Sequence, residues 1–285
     1  MDSLQHIKDM KNRMNLLVRN QLYLAIHQTG FWISTWIIMG YVILTFLYYC
    51  ISYFGMDAAS TLDASDMYAF HGNAPFWELF IRILPFICVL NFGYQNTENR
   101  KRGTYFYVSL NVKAKEYWVS MAYANLILTF FQIEIAAIFS MLLNRLTFQA
   151  TGVFFEGVKG SETYWKNITG DFSYRWNDFH MIHPWVYIML YSVIFSIFCM
   201  GLAHFLYAIS LYIKENGLWI FVVAAVFSLF FYECQYMLGY EIWGDVTVYA
   251  NADQSGIPTL FIWFILIGSG FILLRCKISR WEHEE

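Results

Sequence analysis

Residues 96–118 read NTENRKRGTYFYVSLNVKAKEYW. This is the only long charged segment lying between two apolar runs of membrane length. Arg100, Lys101, Arg102, Lys113 and Lys115 supply five cations, and Glu98 and Glu116 are the only acids. Between the charge clusters runs an aromatic and aliphatic strip: Tyr105, Phe106, Tyr107, Val108 and Leu110. A plain solvated loop has no need of that strip. A short helix on a membrane face, apolar on one side and open to a partner on the other, does need it. The segment reads as a lever, a place where a soluble machine pushes on a membrane-embedded chain.

Working outward, apolar runs occupy about 31–53, 77–95, 118–143, 185–212, 218–238 and 257–274. Each is close to the ~20 residues needed to cross a ~30 Å hydrocarbon core. Lipid offers no water to an open backbone, so helix is the expected form. The composition agrees: 58% of the 285 residues are hydrophobic, 21% aromatic and only 14% charged. A soluble domain carries about 25% charge. The fold expected is an all-α membrane protein with six transmembrane helices, forming one transmembrane domain over 1–285.

Ahead of the first span, Leu4, Ile7, Met10, Met14, Leu17, Val18, Leu22 and Ala25 recur at helical spacing. Lys8, Asn12, Asn15 and Arg19 fall on the other side. Residues 1–30 therefore read as an amphipathic helix lying in the interface. The first residues are too polar for a cleavable signal peptide. Cations sort by side. Lys8, Lys11, Arg13 and Arg19 precede the first span, five lie in 96–117, Lys214 sits in the tight turn at 213–217, and Arg275, Lys277 and Arg280 close the tail. The loops at 54–76 and 239–256 have acids only, and four cations in 144–184 are matched by four acids. The positive-inside rule then puts both termini and 96–117 in the cytosol. The external loop 144–184 is expected to fold as a small cap or interfacial hairpin, and 239–256 as an extracellular or re-entrant segment. No basic patch lies outside the membrane-flanking loops, so nucleic acid is not an expected partner.

Four ionisable residues fall inside the spans: Arg82, Glu134, His204 and Glu233. Charge at membrane depth is costly and marks a partner, a cavity or a pathway. The second and third spans are antiparallel neighbours, so Arg82 can pair with Glu134; Glu78, one turn away, competes. His204 reads as hydrogen-bonded core. His180 and His183, beside Asp178, have metal-compatible spacing but sit at a helix start, where a polar cap is the commoner role. Trp32, Trp36, Trp77, Trp118, Trp185 and Trp263 fit an interfacial aromatic belt. Cys50, Cys88, Cys199, Cys234 and Cys276 lie in or beside apolar runs and read as packing residues. The sequence has no HExxH, no GxSxG and no GxxxxGK[ST]. No enzyme and no cofactor on this chain are expected, and any ATP and Mg must be bound by a separate polypeptide.

The order of parts resembles the permease subunit of type-2 ABC exporters. The resemblance rests on the interfacial helix, the six spans, the short fourth-to-fifth turn and the pattern Glu98, Arg100-Lys101-Arg102, Gly103-Thr104, Val108-Ser109-Leu110, Lys113 and Glu116-Tyr117. Asn111 stands where that family often has Pro. The resemblance implies that two such subunits pair, as a homodimer, and that each docks an ABC ATPase. Glu98, Arg100, Lys101, Arg102, Thr104, Tyr105 and Lys113 would form the coupling contact, with Lys214 and Glu215 making a smaller one. It implies a multi-pass protein of a bacterial plasma membrane. By size and aromatic character the chain is similar to exporters of amphipathic peptides, such as the phenol-soluble-modulin and lantibiotic-immunity systems. Three alternatives stand beside it: export of lipid, glycolipid or small drugs; a membrane-embedded metal-dependent enzyme using His180, His183 or Glu233; and a scaffold or receptor subunit that carries out no transport.

Overall fold

The computed structural model describes residues 2–56, 64–65, 67–70, 74–94, 112–148, 154–155, 158–159, 183–213, 217–238 and 257–282. For 2–11, 114, 154–155, 158–159, 230–238, 257–264 and 280–282 it describes the backbone alone. Seven α-helices dominate these residues: α1 (Asp2–Ile26), α2 (Thr29–Ser52), α3 (Trp77–Cys88), α4 (Ala114–Thr147), α5 (Pro184–Ser210), α6 (Leu218–Leu238) and α7 (Ile257–Glu282). A π-helical turn, Val89–Gly93, prolongs α3. Two-residue strands, β1 (Phe154–Phe155) and β2 (Val158–Lys159), pair antiparallel and close a hairpin in the loop after α4.

Each apolar run of the sequence carries a helix. Among the described residues three helical stretches are long and apolar enough to cross a membrane: Thr29–Ser52, Lys115–Thr147 and Pro184–Ser210. Leu218–Leu229 is a shorter apolar helix. The chain is a membrane protein on that length and composition. The second run is shortened by its own sequence. Pro85 lies inside α3 and supplies no backbone N–H, and the ladder slips to the wider π pattern four residues later.

Contacts between named residues fix the helix directions. Arg145 lies over Trp185, Glu134 meets Ser192 and Ser196, Asn125 meets Ala203 and Trp118 meets Tyr207, so α4 and α5 run antiparallel along their whole length. α2 runs parallel to α4, through Ser34 to Gln132 and Phe46 to Phe148. α3 and its π turn oppose α2, through Gly30 to Leu90 and Tyr41 to Phe80. α6 opposes α3, through Tyr94 to Phe221 and Ser228 to Arg82. α7 runs with α5, through Gly201 to Ile267 and Tyr212 to Leu273. From α2 to α7 the directions therefore alternate. The start of α4, the end of α3, the end of α5 and the end of α7 all share one end of the bundle.

Two apolar clusters fill it. The larger joins α2, α3, α4, α5 and α6 around Phe80, Leu84, Phe195, Phe198 and Leu206. The smaller sits at the shared end, where Val18, Leu22 and Ala25 of α1 close on Tyr117, Trp118, Met121 and Leu128 of α4. Val18, Leu22 and Ala25, the C-terminal part of the predicted α1 stripe, thus pack on protein, while Leu16, Tyr23 and Leu24 remain exposed for lipid. Trp32 and Trp36 are exposed, as a belt requires, but Trp77 and Trp118 are core residues. They sit where helices converge, so their area is covered by neighbouring side chains instead of headgroups. Cys88 and Cys199 are buried free thiols, and Cys88 Sγ donates to the Cys199 carbonyl at 3.8 Å.

One close approach explains a glycine. A Cβ on Gly30 would lie 2.4 Å from the Leu90 carbonyl oxygen, so only glycine lets the start of α2 touch the π turn.

Candidate functional site

Six of the described cations gather at the shared end of the bundle. Arg13 and Arg19 on α1, Lys113 and Lys115 at the start of α4, and Arg275 and Lys277 near the end of α7 all belong to this end. Arg13 Nε approaches Glu116 Oε2 at 3.8 Å, tying α1 to the first turn of α4. The exposed Lys113 is the N-cap residue of α4. Glu98, Arg100, Lys101, Arg102, Thr104, Tyr105, Lys214 and Glu215 lie outside the described residues, as do the 239–256 segment and His180. The helices that flank 95–111 and 214–216 meet these connections at this basic end.

The intramembrane polar residues separate. Arg82 is exposed on α3, and its backbone carbonyl accepts a 2.7 Å hydrogen bond from Ser228 Oγ of α6. It is not the counter-charge of Glu134. The Glu134 carboxylate accepts hydrogen bonds from Ser192 Oγ and Ser196 Oγ, each 2.9 Å long. The reason is geometric: α5, not α3, lies along the face of α4 that carries Glu134. His204 is fully buried, its ring 4.3 Å from that of Phe271, with no hydrogen-bond partner on either nitrogen. The expected hydrogen-bonded core histidine is core but unbonded, because its surroundings are Phe271, Gly270 and Phe205. Glu233 lies on α6, where only the backbone is described. His183 occupies the N-cap position of α5 ahead of Pro184, yet makes no side-chain capping bond. Among the described residues no group of three His, Cys, Asp or Glu side chains comes together to hold a metal ion.

Sequence reasoning missed two polar features. The first surrounds the π turn. Asn91 Nδ2 donates to Gln132 Oε1 at 2.8 Å and to Thr129 Oγ1 at 3.3 Å, and its Oδ1 accepts from Ser34 Oγ at 2.8 Å. Gln132 Nε2 donates to Ser34 Oγ at 2.7 Å and Thr35 Oγ1 at 2.8 Å. Asn125 Nδ2 continues the chain to the Ala203 carbonyl at 3.0 Å. A mesh of neutral amides and hydroxyls thus joins α2, α3, α4 and α5 in the bundle interior. Neutral polar residues in an apolar run stand out less than charges do. The spacing of Asn125, Thr129 and Gln132 on one face of α4 was the available signal.

The second is a wedge. Residues 64–65 and 67–70, expected in a plain external loop, are buried among α2, α4 and α5. Ala69 N–H donates to Ser140 Oγ at 3.1 Å, the Ala69 carbonyl accepts from Tyr41 OH, and Asn144 Nδ2 donates to the Met67 carbonyl at 2.7 Å. Non-helical backbone survives there because side chains satisfy it. Phe70 packs on Tyr41, Phe80 and Phe195, and the buried Tyr68 hydroxyl lies beside Ser192 and within electrostatic reach of Glu134. The apolar quartet Met67, Tyr68, Ala69 and Phe70 amid polar residues was its signal. Comparison of the chain with protein-family models, curated proteins and solved structures finds no match in any of the three.

Proposed function

We propose that this chain is the membrane subunit of an ATP-driven exporter. In this reading α2 to α7 are six spans, two copies pair, and a separate ABC ATPase docks on the basic end, which faces the cytosol. Residues 96–117 receive the push of that motor, and an amphipathic substrate, a peptide by preference, moves outward by alternating access.

The observation that carries the reading is the placement of α4. It is a continuous helix of 34 residues, about 51 Å long at 1.5 Å per residue. It begins directly after the basic segment and packs on α1, α2, α5 and α7. A displacement applied at its first turn reaches most of the bundle without passing through a flexible joint. The Arg13–Glu116 contact couples the interfacial helix to the same turn. The alternating helix directions support a six-span topology with α1 and the end of α7 on one side.

The test is to replace Arg100, Lys101 and Arg102 together with Glu in the full chain, isolate it from its own cells in mild detergent, and assay associated ATP hydrolysis. Wild-type preparations are expected to carry vanadate-sensitive hydrolysis. The variant is expected to insert normally and lose that activity about tenfold, the loss of ~1.4 kcal/mol of coupling. Equal hydrolysis in both would refute the docking site.

A further inference from the structure

A cleft of about 590 Å³ opens between the first half of α4 and the second half of α7. Lys115 stands at one end of it, with Ile278 and Ser279 of α7, and Arg275 lies about a turn further in; both cations are exposed. From there Val119, Ala122 and Leu126 line α4, and Phe271 and Leu274 line α7. The two helices run antiparallel here, so Lys115, Ile278 and Ser279 mark the basic end, Arg275 lies just inside it, and Leu126 and Phe271 share the deep end. Lys115 to Leu126 is eleven residues of helix, about 16 Å. That is close to half of a ~30 Å hydrocarbon core, the depth of one leaflet. Phe271 is 45% exposed and Tyr123 is 49% exposed, so the apolar wall is open to an occupant along its length.

We infer that this cleft binds one anionic glycerophospholipid from the leaflet bordering the basic end. The phosphodiester sits between Lys115 and Arg275, and an acyl chain lies along Val119, Ala122, Leu126 and Phe271. Charge complementarity selects the headgroup. Basic pockets between membrane helices take anionic headgroups in this way, with each cation near the surface adding attraction. The volume lies in the ordinary range for ligand sites. The matched depth selects a lipid over a soluble anion, since a free phosphate would leave the apolar length unfilled. The bound lipid would fill the gap between the lever helix α4 and the last helix α7. The inference rests on α4 and α7 being membrane helices and is independent of ATP coupling.

Native mass spectrometry of the full chain in detergent tests it. Dioleoyl phosphatidylglycerol and dioleoyl phosphatidylcholine are offered at equal concentration, then challenged with soluble glycerol 3-phosphate. The wild type should retain one phosphatidylglycerol in preference to phosphatidylcholine by about thirtyfold, the effect of two cations. Lys115→Gln with Arg275→Gln should bring the ratio close to one, whereas Lys115→Arg with Arg275→Lys should preserve it. A wild-type ratio near one overturns the inference. So does a ratio that the double Gln variant leaves unchanged, or displacement of the lipid by glycerol 3-phosphate, which would mark a headgroup-only phosphate site. If the Gln variant does not fold, the wild-type ratio and the charge-preserving variant still decide.

Discussion

Gln132 and Glu134 are two residues apart on α4 and do opposite things. The Gln132 amide is buried and bonded to Asn91, Ser34 and Thr35. Replacing it with Leu leaves Asn91 Nδ2 without its shorter acceptor bond in a place water does not reach. A buried polar group left unsatisfied costs about 1–3 kcal/mol, although interhelical bonds in lipid average nearer ~0.6 kcal/mol each. Glu134 is only half-buried, and Ser192 Oγ also lies 2.9 Å from the carbonyl of Met189, a local alternative acceptor. Glu134→Gln should therefore change stability by less than about 1 kcal/mol, because removing a charge from an apolar setting offsets the lost hydrogen-bond strength. Thermal unfolding in detergent, followed by a thiol-reactive dye reporting on buried Cys88 and Cys199, compares the two. A clear fall in midpoint for Gln132→Leu and little change for Glu134→Gln is expected. The reverse order would mean that the carboxylate, not the amide mesh, holds the bundle together.

At the scale of the element, α5 and α7 approach closely through a small residue. A Cβ on Gly270 would stand 2.9 Å from His204 Cδ2 and 3.2 Å from the Phe205 Cα, which is backbone and cannot swing aside. Small residues at membrane-helix contacts allow this proximity. Gly268, one turn-half earlier on the same helix, would place a Cβ in open space. Gly270→Val should cost about 1–3 kcal/mol through overpacking. Gly268→Ala should be neutral or stabilising by up to about 1 kcal/mol, the difference in helix propensity. The same dye-monitored midpoint reads both. Equal effects at the two positions would mean that the α5–α7 contact is looser than described. The π turn after α3 is a second element-level feature. It places Asn91 toward α2 and α4 and brings the Leu90 carbonyl against Gly30, so a local break in one helix becomes the meeting point of three.

For the whole molecule, the apolar runs of the sequence located every helix of the bundle, because a stretch long enough to cross lipid has few other options. The α1 stripe was legible for the same reason: Val18, Leu22 and Ala25 repeat at helical spacing. The pairing between helices was not legible. Arg82 and Glu134 are adjacent in span order and opposite in charge, yet α5 supplies the hydroxyls that reach Glu134. Which face of α4 meets which neighbour depends on the summed packing of five other helices, and no single spacing encodes it. The wedge at 64–65 and 67–70 was hidden because its acceptors and donors, Tyr41, Ser140 and Asn144, are each far away in the chain. The motif residues that led to the exporter reading, from Glu98 to Tyr105, lie outside the described residues, so the functional account depends on direct probing of that segment. A photo-cross-linking amino acid in place of Tyr105, activated in intact cells that make the protein natively, is the most direct measurement. The account predicts a covalent adduct between this chain and a cytosolic polypeptide that also takes up an azido-ATP label. Labelling of position 105 from outside the cell by an impermeant reagent, or an adduct partner that binds no nucleotide, would contradict it.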